Sequence, residues 1–134
     1  LKAVALENGK IIATKILKTT GVPAGVRLTP DRKDIKANRN DLSYVKVEVI
    51  DKDGNLIPNA NIPLTFKVSG VGEIAGSGNA CPTDMESFNN SIYNTYRGQA
   101  LVILRPTLKV KQGNIKLIAS ANGLKTGEIS ISVK

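Results

Sequence analysis

The chain has 134 residues, the size of one ordinary domain, and 41% of them are apolar, which argues against a disordered chain. It contains no histidine and a single cysteine, Cys81, which excludes an internal disulfide, a cysteine-built zinc site within one chain and the usual general base. The net charge of +8 comes from cations spread singly along the chain, and no run of eighteen apolar residues occurs, so we expect neither nucleic-acid binding nor membrane insertion.

The start of the chain predicts a β-hairpin. Two apolar-rich segments, residues 1–6 and 11–16, flank Asn8 and Gly9, a pair typical of tight hairpin turns. A hairpin without partner strands is marginally stable in water and exposes a backbone edge. We therefore expect residues 1–18 to be mobile or to be ordered by self-association with another copy of the chain.

A domain boundary is predicted directly after this hairpin. Residues 19–25 are rich in Thr, Gly and Pro and resemble a linker. They divide the chain into a hairpin, residues 1–20, and a domain, residues 21–134. The chain has no signal peptide, does not begin with Met, and Leu1 already lies within an alternating pattern, so we expect it to be part of a longer protein.

The residues after the linker alternate between apolar and polar, which is typical of strands with one buried face. The clearest case is residues 43–49, where Val45, Val47 and Val49 are predicted to lie in the core and Lys46 outside. The following turn, residues 51–55, contains Gly54, which we expect to adopt a positive φ. Eight strands are predicted, near residues 25–30, 34–37, 42–50, 62–69, 73–76, 98–105, 114–121 and 127–134.

Short strands at regular spacing with turn signals between them predict an all-β fold, an immunoglobulin-like antiparallel β-sandwich of seven to eight strands behind the N-terminal hairpin. Two segments depart from the alternation. Residues 101–104 form a continuous apolar run, which predicts a central strand buried on both sides or at a sheet junction. Residues 77–97 are predicted to be a long loop, which in a compact domain is often functional or a domain contact.

Three aromatic residues of the long loop, Phe88, Tyr93 and Tyr96, are the candidate ligand contacts. Exposed rings would offer flat apolar faces on which a sugar could stack, giving a weak glycan contact. Alternatively, Phe88 and Tyr96 cap one end of a core that has few other large residues. Cys81 lies in the same loop and is expected to be a buried or half-buried small residue, since no nearby charge suggests a lowered thiol pKa.

The acidic residues suggest no catalytic or metal site. Glycosidases need two carboxyl groups about 5–10 Å apart, but the pairs Asp51 with Asp53 and Asp84 with Glu86 are interpreted as solvated loop acids. The segment that begins at Asp51 superficially resembles a calcium loop, yet its glycine and its twelfth residue do not fit that motif. We expect a structural turn there, and no cofactor or metal.

Several segments resemble one known family: "KTTGVPAGVRLTPDR", "VKVEVIDKDGNLIPNANIPLTFKVSG", "GSGN" and "IKLIASANGL". They are similar to the C-terminal region of glycoside hydrolase family 2 β-galactosidases of polysaccharide-degrading bacteria, in which two immunoglobulin-like domains follow the catalytic barrel. The resemblance implies that residues 1–20 are the last hairpin of the first such domain and residues 21–134 the second. One departure is the segment Ala80-Cys81-Pro82, where the family pattern reads Gly-Asp-Pro.

The resemblance implies a non-catalytic accessory domain of a secreted multidomain enzyme, periplasmic or extracellular, that contacts other domains of the same polypeptide. The family's catalytic carboxylates lie in the barrel, and no residue of this chain matches their motifs, so the chain itself is not expected to be an enzyme. Two alternatives remain open. One is a carbohydrate-binding module for polysaccharide or oligosaccharide, and the other is an invasin-like spacer of a bacterial adhesin.

Overall fold

The computed structural model describes all 134 residues. It contains no helix with the length and apolarity needed to span a lipid bilayer. The chain forms eleven strands: β1 (Lys2–Glu7), β2 (Lys10–Ile16), β3 (Gly25–Pro30), β4 (Asp34–Ile35), β5 (Ser43–Ile50), β6 (Pro63–Gly70), β7 (Gly72–Gly78), β8 (Ile92–Asn94), β9 (Gln99–Pro106), β10 (Gly113–Ser120) and β11 (Gly127–Val133).

Strands β3 to β11 form a β-sandwich of two sheets. The five-stranded sheet has the order β4-β11-β10-β6-β8, and the four-stranded sheet has the order β3-β5-β9-β7. Neighbouring strands are antiparallel except the short β4, which is parallel to β11. The predicted immunoglobulin-like sandwich is confirmed. It has one strand more than expected, because β8 lies within residues 77–97, which were predicted to be loop.

The core lies between the two sheets and consists of the inward residues of alternating strands. Val45, Val47 and Val49 of β5 are fully buried, as predicted, whereas Lys46 faces outward. The opposite sheet contributes the apolar residues Ile115, Leu117, Ala119, Ile131 and Val133. Each large side chain buried in this way stabilises the fold by about 1.5–3 kcal/mol relative to leaving it exposed.

The turn after β5 is organised by a buried carboxylate. Asp51 Oδ1 accepts hydrogen bonds from the backbone N–H groups of Asp53 and Asn55 at 2.9 and 2.8 Å, and Oδ2 accepts one from Gly21 at 3.0 Å. Gly54 has a φ of +81°, which confirms the predicted positive φ. The prediction that Asp51 is a solvated loop acid is wrong, because its side chain is buried against donors that fix the linker to the turn.

Strand β9 corrects the prediction for residues 101–104. Val102 and Leu104 are fully buried, but Leu101 is exposed and Ile103 half-buried. The strand is central in its sheet, yet only the inner face of that sheet is covered by a second layer. The apolar run is therefore not buried on both sides, and its outward half remains on the molecular surface.

The N-terminal hairpin forms as predicted. β1 pairs with β2, and the connecting residues Asn8 and Gly9 have φ of 48° and 75°, as in a type I′ turn. Leu1 and Leu17 exchange backbone hydrogen bonds of 2.8 and 2.9 Å at the open end. Every residue of both strands is exposed, and neither strand pairs with the sandwich.

Candidate functional site

The outer face of the four-stranded sheet carries exposed apolar side chains. Leu101 and Ile103 of β9 point away from the core, and their register partners on β5 are Lys46 and Tyr44. Partners in register share one face of a sheet. The outward half of the apolar run therefore lies on the same face as Tyr44 and Lys46, and Leu101, Ile103 and Lys46 line one side of a groove.

Two glycines of β7 form the floor of this groove. A β-bulge after Ile74 shifts the register, so that Gly76 is opposite Ile103 and Gly78 is opposite Leu101. Bulges redirect side chains and are frequent beside binding sites. Because glycine has no side chain, the outward faces of Leu101 and Ile103 are left uncovered by their neighbour strand.

Phe88 forms one wall of the groove. The backbone carbonyl of Phe88 accepts hydrogen bonds from the Ser77 N–H at 2.7 Å and the Ser77 hydroxyl at 3.3 Å, and that hydroxyl also donates to the Asn90 carbonyl at 2.8 Å. Phe88 ring atoms lie 3.4–3.5 Å from where a Cβ at Gly78 would stand. The ring is thus supported on the glycine strand while 68% of the residue remains exposed.

The turn between β8 and β9 forms the other wall. Tyr96 and Gln99 exchange backbone hydrogen bonds of 2.8 and 3.0 Å around Arg97 and Gly98, whose φ values are 52° and 76°. Gly98 is required here, since a Cβ at that position would lie 2.1 Å from the Ile57 carbonyl oxygen. The Arg97 guanidinium lies over the Tyr96 ring, 5.4 Å from its centroid, within cation–π distance.

The groove between these walls has a volume of about 760 Å³. Besides the glycine floor it is lined by the apolar residues Phe88, Tyr96, Ala80, Ala100, Leu101 and Ile103 and by the polar residues Lys46, Ser77, Asn79, Arg97 and Gln99. A concave surface with flat apolar rings and a few hydrogen-bonding groups is typical of small-ligand sites.

The charges around the groove are positive. Lys46 Nζ lies 3.1 Å from Glu48 Oε1, and the other carboxylate oxygen of Glu48 lies 2.9 Å from Arg27 Nε. Burial raises the pKa of Glu48, but hydrogen bonds and charges from Arg27 and Lys46 outweigh burial and lower it overall. Arg97 takes part in no salt bridge, and no carboxylate lines the groove.

The structure separates the three aromatic residues proposed as glycan contacts. Tyr93 is 2% exposed and packs in the core; its assignment as a glycan contact is wrong, because a buried ring offers no face for stacking. Burial, followed by the neighbouring Asp84 carboxylate, raises the pKa of its hydroxyl. Phe88 and half-buried Tyr96 both line the groove. The alternative that Phe88 caps the core is also wrong.

The remaining candidates of the sequence are structural. The Asp51 carboxylate accepts several N–H groups, which repel a cation and favour the structural turn over a calcium loop. Asp84 Oδ1 accepts a hydrogen bond from the Glu86 N–H at 2.9 Å, which is a local turn within the loop. Cys81 is half-buried, as predicted, with Sγ 3.4 Å from Thr83 Oγ1.

Comparison with known proteins places these features in a family context. The family model described as glycoside hydrolase family 2 C-terminal domain 5 matches residues 26–130. The whole chain is 40% identical to β-galactosidase BoGH2A of Bacteroides ovatus and spans 16% of that protein.

Two solved structures share the fold over nearly the whole chain. A glycosyl hydrolase family 2 member from Bacteroides cellulosilyticus has a TM-score of 0.88 and 34% identity, covering 99% of this chain and 17% of the other. A β-glycosidase from Bacteroides vulgatus has a TM-score of 0.92 and 27% identity, covering 98% of this chain and 17% of the other. The chain therefore spans about a sixth of the length of these similar proteins.

Proposed function

Because the chain belongs to glycoside hydrolase family 2 C-terminal domain 5, we propose that it is a non-catalytic accessory domain of a multidomain β-galactosidase. It braces the catalytic region or sets oligomer contacts and substrate access. The observation that carries this proposal is the full-length match to a β-galactosidase about six times as long as the chain. A parent that degrades polysaccharide would act in the periplasm or outside the cell, where such polymers are found.

The N-terminal hairpin is proposed to be the last hairpin of the preceding immunoglobulin-like domain. By register, Val4, Leu6, Ile11 and Ile16 share one face of it, and all four are exposed. Exposed apolar surface of this kind marks an interaction site. A sheet component of the preceding domain would bury that face, whereas the sandwich described above leaves it in solvent.

The position of the hairpin suggests where this preceding domain lies. A cavity of about 690 Å³ separates the end of the hairpin, residues 15–18, from the outer face of the four-stranded sheet, including Arg27, Lys46 and Glu48. A domain built on the hairpin would therefore stand beside that outer face. Such a placement gives the linker, which is fixed through Gly21 and Asp51, a role in setting the angle between two domains.

Two other functions remain as alternatives to the accessory domain. The groove with Phe88 and Tyr96 favours a carbohydrate-binding module, and binding of an immobilised glycan by the isolated chain would distinguish it. An invasin-like adhesin spacer would be supported by tandem copies of this domain in the parent polypeptide.

The test uses the isolated chain and its full-length parent. We expect the parent to hydrolyse nitrophenyl β-galactoside and the isolated chain to give no turnover, because glycoside hydrolysis needs a pair of carboxyl groups and no carboxylate lines the groove of this chain. A parent that lacks residues 21–134 should keep its catalytic carboxylates and measurable turnover, with a lower melting temperature. Turnover by the purified isolated chain, or a parent without galactosidase activity, would contradict the proposal.

A further inference from the structure

The groove on the four-stranded sheet is not explained by a purely bracing domain. A bracing surface needs apolar area and few charges at its centre. Here an exposed phenyl ring is supported on a glycine strand and faces a groove that also contains an unpaired guanidinium. Rings, hydrogen-bonding groups and positive charge occur together in a cavity large enough for a small ligand.

We propose that this groove binds a carboxylate-bearing oligosaccharide, with Phe88 as the stacking platform and Arg97 as the anion contact. The choice of a saccharide as the ligand class rests on the proposed function, whereas the preference for an acidic one rests on the charges of the groove.

The shape of the groove suits a sugar ring. A pyranose has apolar C–H faces and a rim of hydroxyl groups, so it needs a flat apolar surface and polar groups beside it. Phe88 supplies that surface, and its backbone is held by Ser77, so little ordering is required on binding. Gln99 lines the same groove, and its side-chain amide supplies a donor and an acceptor for the hydroxyl groups. The Asn79 amide also lines the groove but already donates to the Asn94 carbonyl and accepts from the Cys81 N–H.

The charges select an acidic sugar. Lys46 and Arg97 both line the groove and no carboxylate does. Lys46 shares Glu48 with Arg27, so its charge is partly compensated, but Arg97 has no carboxylate partner. A guanidinium binds a carboxylate through two parallel hydrogen bonds, the arrangement to which its geometry is best suited.

The backbone at Arg97 is a second sign of function. The first central position of a type I′ turn is normally Asn, Asp or Gly, since φ is positive there. Arg97 occupies it with a φ of 52°, which is unfavourable for a residue with a full side chain. A residue kept in an unfavourable conformation beside a cavity suggests that its side chain is used.

The experiment titrates the isolated chain with an oligogalacturonide and with a neutral oligogalactoside of the same length, by isothermal titration calorimetry. We expect the acidic oligomer to bind more tightly and its affinity to fall with added salt. Phe88→Ala should weaken binding about tenfold. Arg97→Asn should weaken it about fivefold while leaving the melting temperature equal or higher, because Asn suits the turn.

The matched control is Lys67→Gln, which removes one unpaired exposed charge from the opposite sheet and should change affinity by less than about twofold. Equal weakening by Lys67→Gln and Arg97→Asn would show general attraction to the net charge of +8 and overturn the proposal. So would equal binding of the two oligomers, an unaffected Phe88→Ala variant, or no binding at all. The last result would assign the face to a neighbouring domain and leave the galactosidase test of the parent unaffected.

Discussion

Two β-hairpins of similar length behave differently in this molecule. In β10–β11, seven register pairs join the strands, and inward residues such as Leu117 and Ile131 are fully buried. In β1–β2, six register pairs join the strands, and no residue of either strand is buried. Both are antiparallel pairs with apolar residues on one face, although β1–β2 has a bulge between Ala5 and Leu6. The main difference is a second sheet, which covers one face of β10–β11 and is absent over β1–β2.

The comparison shows that a chain segment can form paired strands, as β1–β2 does, without contributing to a buried core, as β10–β11 does. Backbone hydrogen bonds contribute little net stability because water offers equivalent partners to the unfolded chain. Burial of apolar area supplies the favourable free energy, and only β10–β11 gains it within this chain. Changes in β10–β11 should therefore alter the free energy of unfolding of the sandwich, and equivalent changes in β1–β2 should not.

The largest effect is expected from truncating the same residue type in the two hairpins. Leu117→Ala should lower the free energy of unfolding by about 2–5 kcal/mol, through lost transfer energy and a cavity. Leu6→Ala, at a residue 63% exposed, should change it by less than about 0.5 kcal/mol. Urea denaturation monitored by far-ultraviolet circular dichroism measures the free energy of unfolding of both variants. Similar losses at the two positions would show that the hairpin belongs to the cooperative core.

A smaller effect is expected from the turn glycines. Gly54 and Gly9 have φ of +81° and +75°, and no heavy atom lies closer than 3.9 Å to an added Cβ at either. Alanine therefore meets only backbone strain, about 1–2 kcal/mol. Gly54→Ala should show that loss in urea denaturation, whereas Gly9→Ala should leave the sandwich transition in place. A shift of the midpoint by Gly9→Ala would contradict the separation of the two regions.

The acid dependence of stability gives a third comparison. A backbone hydrogen bond from Gly21, followed by hydrogen bonds from Asn55, lowers the pKa of Asp51 to about 2, from an ordinary value of 3.8. A lowered pKa in the folded state means that stabilisation is fully present above pH 3.8 and is lost as the pH falls through about 2.

Melting temperatures measured from pH 5 to pH 2 test this. Asp51→Asn should have a lower melting temperature than the wild type at pH 5. The difference between the two melting temperatures should narrow toward pH 2, because the wild-type carboxylate becomes protonated there. Glu7→Gln in the hairpin is the control, and its profile should coincide with that of the wild type. A constant gap between Asp51→Asn and the wild type would show that the carboxylate charge is not what stabilises the turn.

Much of the fold was predictable because a period of two places alternate residues on opposite faces. That rule located Val45, Val47 and Val49 in the core and predicted the turn at Gly54. The rule failed where the outcome depends on whether a second layer of structure packs on each face, because alternation carries no information about that. The apolar run at residues 101–104 therefore predicts a strand buried on both sides or at a sheet junction, although one face of it lies open.

The candidate site was less predictable. Phe88 and Tyr93 lie in one segment without periodicity, so the sequence did not distinguish an exposed ring from a buried one. Tyr93 is placed in the core by β8, whose three residues are too few for a recognisable pattern. The outward half of the apolar run, Leu101 and Ile103, was the one signal for the groove in the sequence. It indicates a groove only once the structure shows that the glycines of β7 lie beside these residues and leave them uncovered.

Deletion of residues 1–20 tests the separation of hairpin and sandwich most directly. The remaining chain begins at Gly21, whose nitrogen still donates to Asp51, and keeps every residue of the core. We expect its melting temperature at low protein concentration to equal that of the full chain, and any self-association of the full chain to weaken, as size-exclusion chromatography would show. Unfolding of residues 21–134, or a large fall in melting temperature, would show that the hairpin is part of this domain.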